Sequence, residues 1–441
     1  MDYCPHTPAD IKEMQAAVGI NDIEELFADI PQKFQLKQMP DFPAALSEQQ
    51  TVGVMNDLAR KNITPQLTLC GAGAYHHYIP AVVGHIVGRS EFYTAYTPYQ
   101  AEISQGMLQA IYEYQTMIAR LTGTEIANAS MYDGASAMAE ASILCAKISN
   151  RSRIIVARSV HPEYRQVMQT YCWANKYTVC EIPYAPSGGL DLSGLEGELD
   201  DNVAAVVLQS PNFFGVIEDV ASIAAAVHKK GALLVAGFTD GTSLGILQPA
   251  GACGADFVVG EGQSFGNPLN YGGPYLGIFA AREKFMRRIP GRLVGATVDK
   301  NGKRGFVLTL QTREQHIRRE KATSNICSNE ALCALAAGVY LAALGKNLKR
   351  LAALNIYKAQ YLKNRLLKLD GWREVFSAPV YNEFVLGCPN ARLVNDKLKA
   401  AGIVGGYKLQ KNYPELENAL LFCATEMISK EDMDRIVKIL K

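Results

Sequence analysis

DFVVGEGQSFGNPLNYGGPYLGIFAAR (residues 256–282) is the stretch of the sequence that decides the fold class. Two apolar runs, DFVVG and YLGIFAAR, flank a glycine-rich loop of eighteen residues, 260–277, six of which are glycine. A strand, a glycine-rich loop and a second strand are typical of a backbone that approaches a ligand closely. The loop has no lysine, histidine or cysteine, and its only charged residue is Glu261. The pattern therefore predicts the geometry of a ligand loop without a side chain suited to bond the ligand.

Apolar runs ahead of this loop alternate with helical patterns. We expect strands in RIIVARSV (153–160), YTVCEIPY (177–184), VAAVVLQS (203–210) and ALLVAGF (232–238). The segment EDVASIAAAVHKKG (218–231) predicts a helix, because its final lysines and glycine suit a helix C-terminus. Short, nearly continuous apolar strands that alternate with helices indicate a mostly parallel α/β sheet.

The pattern changes twice along the chain, which predicts three parts. Residues 1–65 form an N-terminal helical arm, residues 66–310 a large α/β domain, and residues 311–441 a smaller C-terminal α+β domain. A long helix, LKRLAALNIYKAQYLKNRLLKL (348–369), joins the smaller domain to the larger one. We expect the chain to finish in a helix capped by Ser429.

Three helix starts are predicted in the arm. Thr7 supplies a capping hydroxyl before a proline and an acid, and Ser47 opens another polar helix. Asn21 and Glu24 repeat the capping pattern ahead of ELFADI. Since these helices carry few apolar residues each, we expect the arm to wrap another body and not to form a core of its own.

The composition excludes several classes of function. The 441 residues contain 44 lysines and arginines against 43 aspartates and glutamates, so we expect no general attraction to nucleic acid or an anionic membrane. No apolar run approaches the ~20 residues that span a bilayer, and the first residues do not form a signal peptide. The ten cysteines include no CxxC pair, which indicates a reducing compartment, the cytoplasm. No metal site is predicted, because the adjacent side chains of His76 and His77 diverge.

Two sites close to predicted strands have both a ligand-binding and a structural interpretation. Asp133, Gly134 and Ser136 begin an alanine-rich helix, whose free N–H groups and positive dipole end suit a phosphate. The same small residues also suit tight packing of the helix against the sheet. His161 follows a strand and precedes Pro162, where an imidazole either stacks on a planar ligand or caps the next helix.

The segment SEFYTAYTPYQAEISQG (90–106) is polar and aromatic, without the periodicity of a core element. Four of its side chains are candidates for a functional surface: Tyr96, Tyr99, Gln100 and Glu102. They suit a subunit interface or an active-site wall, and they suit an ordinary hydrogen-bonded loop equally well. We expect Ser104 to cap the helix that follows.

A second polar stretch, EKATSNICSNEAL (320–332), precedes an apolar helix. Thr323, Ser324 and Asn325 form either a hydroxyl-rich loop presented to a phosphate or a helix-capping turn, in which Ser328 is the cap.

Five long motifs together resemble one family. In chain order they are GAGAYHHYIP (71–80), RSEFYTAYTPYQAEISQG (89–106), NASMYDGASA (128–137), the loop 260–277 and TREQHIRREKATSNIC (312–327). Over its whole length the chain is similar to the first (alpha) subunit of glycine dehydrogenase (decarboxylating), the P-protein of the glycine cleavage system. The resemblance implies the fold-type I of pyridoxal-phosphate-dependent transferases (the aspartate aminotransferase fold), in which active sites lie at a dimer interface.

Two departures from the chemistry of that fold imply that this chain has no catalytic residue of its own. A pyridoxal-phosphate enzyme needs a lysine on the loop after the strand DFVVG, and Gln263 stands at that place here. The fold also places an aspartate at the end of the strand ALLVAG, to keep the pyridine nitrogen protonated. Here that strand ends in Gly237 and Phe238, and Asp240 comes about three residues too late. The resemblance then implies a vestigial cofactor cleft at Gly134, Ser136 and His161.

The resemblance implies the role of a non-lysine subunit. Pyridoxal 5'-phosphate would be held covalently by a second (beta) subunit in an α2β2 assembly. The complex would decarboxylate glycine and transfer the aminomethyl group to the lipoyl arm of the H-protein. This chain would complete the wall of the partner's site through Tyr96, Tyr99, Gln100, Glu102, Thr323, Ser324 and Asn325.

Two other hypotheses stay open at this point. A self-sufficient enzyme could use another lysine, such as Lys284 or Lys321. Alternatively, the chain could be a non-catalytic binding or regulatory protein that keeps the fold and does not change the reaction rate of any partner. Borohydride trapping of a lysine aldimine tests the first of these, and an activity assay with the partner tests the second.

Overall fold

The computed structural model describes residues 5–36, 38–322, 324–326 and 328–441. It separates into two compact units, Met1–Thr64 and Pro65–Lys441. The finer division of the second unit at residue 310 stays a prediction.

The first unit consists of short helices with polar caps. Its α-helices are α1 (Pro8–Val18) and α2 (Glu48–Arg60), and its 3-10 helices are Ile23–Phe27 and Gln32–Phe34. The predicted capping boxes of Thr7 and Ser47 are confirmed. The predicted start at Asn21 and Glu24 is wrong by one residue, because Asp22 and Glu25 form the capping box there. No described residue of this unit is buried.

The second unit alternates helices and strands as the apolar runs predict. Its α-helices are α3 (Ala81–Val87), α4 (Ser90–Tyr93), α5 (Gln105–Thr122), α6 (Gly134–Ser149), α7 (Pro162–Ala174), α8 (Leu192–Glu198), α9 (Val220–Lys229), α10 (Gln315–Arg318), α11 (Ala331–Leu344), α12 (Asn347–Leu366), α13 (Ala391–Ala400) and α14 (Lys430–Leu440). The predicted cap at Ser429 is confirmed. The predicted caps at Ser104 and Ser328 are wrong: the Ser104 side chain makes no capping bond, and α11 begins after Glu330.

The strands of this unit are β1 (Leu67–Thr68), β2 (Ile126–Ala127), β3 (Arg153–Ala157), β4 (Thr178–Ile182), β5 (Val203–Gln209), β6 (Leu233–Phe238), β7 (Phe257–Glu261), β8 (Gly277–Ala281), β9 (Leu293–Val298), β10 (Arg304–Thr309), β11 (Arg373–Glu374), β12 (Glu383–Gly387), β13 (Ile403–Val404), β14 (Tyr407–Lys408) and β15 (Ala419–Cys423). Within the described residues, seven of them form the central sheet in the order β2-β8-β7-β6-β5-β3-β4. The pairs from β4 to β7 are parallel, and β8 is antiparallel to both of its neighbours. The predicted mostly parallel sheet is therefore confirmed.

Two large apolar clusters hold the described part of the second unit together, and a third, small one packs α5 against β9 and β10. The larger one contains the central sheet, the buried alanine-rich helix α6, and residues of α11. The other large cluster surrounds the antiparallel sheet β11-β12-β15-β14 and also includes Phe213 and Phe214 from the loop after β5. The cleft between the ends of the central strands and the C-terminal sheet is where the candidate site lies.

Membrane-spanning potential is limited in the part of the chain that the structure describes. No single described helix has the length and apolar composition to cross a bilayer. Only α11 and α12 taken together reach such a length and apolar composition, and the chain bends by 91° between these two helices.

Candidate functional site

The carboxyl ends of the parallel strands bring two predicted site residues, His161 and Gln263, to one edge of the sheet together with Asp240. His161 follows β3, Asp240 follows β6 and Gln263 follows β7. In open α/β sheets, ligands bind in the crevice outside these strand ends. In this chain the crevice, here called the strand-end cleft, contains backbone and side chains of residues 71–77, here called the cleft segment.

The first contact of the cleft segment is with His161. The ring donates from Nε2 to the carbonyl oxygen of Ala72 at 2.9 Å, and its Nδ1 accepts the N–H of Glu163 at 3.2 Å. Its ring also packs on Phe213 and Tyr164, with centroids 4.8 and 4.9 Å away. Burial lowers the pKa of His161. Both ring nitrogens are therefore occupied, and the ring caps α7 as one of the two interpretations of the sequence expects.

The second contact is with Gln263. Its side-chain oxygen accepts the N–H of Tyr75 at 2.9 Å, and its Nε2 donates to the carbonyl oxygens of Tyr75 at 3.1 Å and Asn267 at 2.8 Å. The side chain is 3% exposed. An amide bonded on both sides to one backbone segment fixes that segment in place, and it leaves no donor of this glutamine directed at a ligand.

The third contact is an internal ion pair. His77 donates from Nε2 to Asp240 at 3.1 Å and from Nδ1 to Glu426 at 2.8 Å. Burial opposes the charge of the imidazole, but the two carboxylates outweigh it and raise the pKa of His77 to about 10. Asp240 also accepts a bond of 2.6 Å from the side chain of Asn382. Asp240 therefore has its charge balanced by a residue of this chain.

Tyr75 connects the strand ends to the C-terminal sheet. Its hydroxyl donates to Glu383 Oε2 at 2.7 Å and lies 2.9 Å from the hydroxyl of Thr239. The other oxygen of Glu383 accepts the N–H of Ala72 at 2.6 Å. Burial raises the pKa of Glu383 to about 7, although these two bonds oppose the shift. Tyr75 and Glu383 were not predicted from the sequence, since 308 residues separate them along the chain.

The predicted phosphate position at the start of α6 is occupied by a carboxyl group. Glu261 accepts the N–H of Gly134 at 3.0 Å, and its other oxygen accepts those of Gln263 at 3.0 Å and Leu276 at 2.9 Å. Burial raises the pKa of Glu261 to about 8. The N–H of Ser136 donates to the capping residue Asp133 at 2.7 Å. Two of the N–H groups expected to face a phosphate thus have partners within the protein.

Pyridoxal phosphate does not fit the residues that the structure places in this cleft. The loop 260–277 has no lysine to bond its aldehyde. The cleft segment contacts each of His161, Asp240 and Gln263. Among the residues that the structure describes there is also no group of three or more metal-ligating side chains.

The predicted interface segment around Tyr99 is exposed and adjoins the second predicted loop. Tyr96 is 76% and Tyr99 is 50% exposed, and Gln100 and Glu102 are also exposed. The ring of Tyr99 meets that of His316 edge-on, with centroids 6.2 Å apart. Tyr99, His316 and Ile326 of the second polar stretch line one cavity of about 180 Å3. We call the described residues of 96–102 and 314–328 around this cavity the Tyr99 surface.

A buried arginine holds the Tyr99 surface together. Arg292 is 4% exposed, and its guanidinium donates to the hydroxyls of Tyr99 at 3.0 Å and Ser328 at 3.2 Å. Its Nε lies 3.6 Å from Glu314 Oε2. Sequence reasoning missed this residue, because nothing local distinguishes it from the exposed arginines nearby, such as Arg288.

The remaining predicted residues lie beside α6. Ser324 donates to Glu140 at 2.7 Å, and Asn325 is exposed. Both line a cavity of about 470 Å3 whose wall also includes Lys147 and Arg319. Thr323 lies outside the described residues.

Comparisons with known proteins agree along the full chain. The family model described as the glycine cleavage system P-protein matches residues 1–440. This chain belongs to the P-protein family of the glycine cleavage system. A relative from Desulfitobacterium hafniense is named "Probable glycine dehydrogenase (decarboxylating) subunit 1" and is 52% identical to this chain. The alignment covers 99% of this chain and 98% of the relative. A relative of the same name from Carboxydothermus hydrogenoformans is also 52% identical, with coverage of 100% and 99%.

Solved structures confirm the predicted fold of this P-protein family member. A glycine decarboxylase (P-protein) in inhibitor-bound form has a TM-score of 0.89 and 44% identity, over 100% of this chain and 99% of that one. A sphingosine-1-phosphate lyase from Burkholderia pseudomallei has a TM-score of 0.66 at 17% identity, over 93% of each chain, which shows a shared fold alone. The predicted fold-type I architecture is confirmed.

Proposed function

We propose that this chain is the non-lysine subunit of a two-subunit glycine decarboxylase. Together with the second subunit it decarboxylates glycine and passes the aminomethyl group to the lipoyl arm of the H-protein. The names of the full-length relatives support this function. Two observations within the chain support its role in the pair: the loop 260–277 lacks a lysine, and the strand-end cleft is filled by the chain itself.

The second subunit holds the cofactor in this proposal. Pyridoxal phosphate, when bound there, supplies the electron sink for loss of CO2 from glycine. The present chain contributes none of that chemistry, because Gln263 cannot form the covalent bond that a lysine forms. Its contribution is to shape the second subunit's site and exclude water from it.

The Tyr99 surface is the part of this chain assigned to that site. Tyr96, Tyr99, Gln100 and Glu102 present aromatic bodies and polar groups to a neighbour, as interfaces require. Ser324, Asn325 and Thr323 remain candidates for donors to the partner's phosphate. For Ser324 this role requires that the bond to Glu140 be exchanged on assembly.

The N-terminal arm supports the need for a second chain. Its described residues include none that are buried, yet many of its large apolar side chains are exposed. Among them are Val18, Phe34, Leu36, Met39, Phe42 and Ile63. A monomeric protein rarely leaves so much apolar surface in water. We assign this surface to contact with the second subunit in an α2β2 assembly.

The competing use of a different lysine has less support. Lys284 pairs with Asp256 at 3.2 Å, at the amino end of β7. Gln263 and the strand-end cleft lie at the opposite, carboxyl end of the same strand. Lys321 is exposed. Neither lysine therefore lines the cleft in which the fold holds its cofactor.

Complementation tests the proposed function. We expect the purified chain alone to release no CO2 from glycine, and to restore release when mixed with the second subunit, lipoylated H-protein and pyridoxal phosphate. The measurement is CO2 release from carboxyl-labelled glycine, titrated against this chain until it saturates. Activity of this chain alone, or no gain on mixing, would contradict the proposal.

A further inference from the structure

We propose that the cleft segment, residues 71–77, permanently occupies the strand-end cleft. In the place of a cofactor, this segment joins the ends of the central strands to the C-terminal sheet. The inference rests on the proposed function in that it explains why this chain leaves the cofactor to its partner. It adds that a lysine restored to the loop would not make the cleft able to bind pyridoxal phosphate.

Hydrogen bonding shows that the occupation is specific. The segment offers the carbonyl of Ala72 to His161, both backbone groups of Tyr75 to Gln263, and the ring of His77 to Asp240. These contacts come from three different strand ends. A loop that merely lay over an empty cleft would leave some of these buried groups without partners, which is costly.

The glycines of the segment fit this role. A Cβ added to Gly73 would lie 2.7 Å from His161 Nε2, and one added to Gly71 would lie 2.5 Å from Glu383 Oε1. Gly73 also has a φ of +104°, which side chains of L residues rarely adopt. The backbone therefore approaches the cleft wall at a distance that only glycine permits, as in a close-packed core.

Displacing the cleft segment would leave buried carboxyl groups without their hydrogen-bond partners. Glu383 would lose the Tyr75 hydroxyl and the Ala72 N–H, and Asp240 would lose His77. Removing one partner from a buried charged group is strongly destabilising. A ligand would have to compensate all three losses, so the segment stays in place.

The space left beside the segment does not suit a phosphorylated cofactor. A cavity of about 360 Å3 lies against Tyr75, Tyr78 and Gln263, and its lining includes Leu269 and Met427. The residues that line it include no lysine or arginine. The cationic ring of His77 lies in its wall, but both ring nitrogens already donate to Asp240 and Glu426. A phosphate there would therefore find no lysine or arginine and no free N–H of His77.

Three measurements test the occupied cleft, and the first uses Q263K in the isolated chain. After incubation with pyridoxal phosphate and borohydride reduction, we expect mass spectrometry to find no label at position 263. Wild type is the control for labelling of surface lysines. Stoichiometric label at 263 would overturn the inference.

The second measurement does not depend on folding of a variant with a buried lysine. In wild type, alone and in complex with the second subunit, hydrogen exchange should show the amides of Ala72 and Tyr75 protected at least 100-fold more than exposed amides of the arm. Exchange at the rate of the arm would overturn the inference.

The third measurement compares two glycine substitutions. Gly73→Ala should lower Tm by about 2 °C or more, because its Cβ meets His161 and its backbone must keep a positive φ. Gly302→Ala is the matched control, because Gly302 also has a positive φ, of +78°, but an added Cβ meets nothing within 4 Å there. Equal melting of the two variants would count against a filled cleft. Failure of complementation with the second subunit would contradict the proposed function. The three measurements above would still test whether residues 71–77 occupy the strand-end cleft.

Discussion

At the scale of single residues, His77 is the side chain whose environment differs most from that of an ordinary surface histidine. It is buried and bonded on both nitrogens to carboxylates, and its pKa is raised to about 10. Such a cation stabilises the fold only while it holds its proton. The stability of the protein should therefore depend on pH through this one imidazole.

The sign of that dependence follows from the direction of the shift. Because the folded pKa of His77 lies above the unfolded value of about 6.5, its contribution is complete below pH 6.5 and is lost as the pH rises toward 10. We expect His77→Gln to lower the unfolding free energy by about 3 kcal/mol at pH 6.5 and by much less at pH 9.5.

Urea unfolding from pH 6 to 9.5 measures this difference. Glu383 and Glu261 also have raised pKa values, of about 7 and 8, and they add to the slope of both proteins. The difference between wild type and variant therefore isolates the histidine. A difference that stays constant with pH would show that His77 is neutral in the folded protein.

The sequence allowed part of the site to be predicted at this scale. Gln263 and His161 stand out because a loop motif and a strand end mark their places. Tyr75, His77 and Glu383 were missed as site residues, because their partners lie 163 or more residues away and no local pattern encodes such pairs. The GAG of 71–73 was the available signal, since closely spaced glycines indicate a close backbone approach.

At the scale of elements, Arg292 joins the segment before α5 to the loop between α10 and α11. Its planar guanidinium donates to Tyr99, Ser328 and Asn329 in fixed directions, which a lysine cannot reproduce. The Tyr99 surface therefore depends on this one side chain for its shape. Since that surface is proposed to contribute to the partner's site, we expect Arg292 to act as a positioning residue for the complex.

We expect Arg292→Lys to lower kcat/KM of the reconstituted complex about tenfold, equivalent to about 1.4 kcal/mol, while the variant still binds the second subunit. Steady-state kinetics of CO2 release measures the first quantity, and size-exclusion chromatography the second. Arg288→Lys, at an exposed position four residues away, is the control and should match wild type. Unchanged kinetics in Arg292→Lys would show that the Tyr99 surface does not contribute to the active site.

Element types were predicted better than element ends. Apolar runs identified β3 to β8. The runs are nearly continuous in β5, β6 and β7, because buried parallel strands are apolar on both faces. Caps were predicted less well where several polar residues compete. Asp22 and not Asn21 caps the first 3-10 helix, and the Ser328 hydroxyl accepts from Arg292 instead of capping α11. The hydrogen bond from the distant guanidinium of Arg292 to Ser328 thus forms in place of the local capping bond.

At the scale of the whole molecule, the two units differ in how much they bury. Pro65–Lys441 contains the three apolar clusters of the described residues, whereas the described residues of the arm bury nothing. We therefore expect the arm to contribute little to the stability of the second unit. Its exposed apolar side chains are the ones that we assign to the second subunit.

Deleting residues 1–64 tests this separation. We expect the shortened chain to melt within about 3 °C of wild type and to bind the second subunit at least about 100-fold more weakly, because about 3 kcal/mol of apolar contact is lost. Calorimetry and analytical ultracentrifugation measure the two quantities. Unchanged affinity would mean that the arm does not contact the second subunit, and a large fall in Tm would mean that it belongs to the core.

The filled cleft also has an evolutionary consequence. To regain a cofactor, this chain would need a lysine in the loop 260–277, removal of residues 71–77 from the strand ends, and new partners for Glu383 and Asp240. Each change alone leaves a buried charge or a clash and lowers stability before any activity returns. No single substitution would therefore restore a cofactor to this chain, because the other two obstacles would remain. In the proposed complex, the chain would depend on its partner for the cofactor even if the loop regained its lysine.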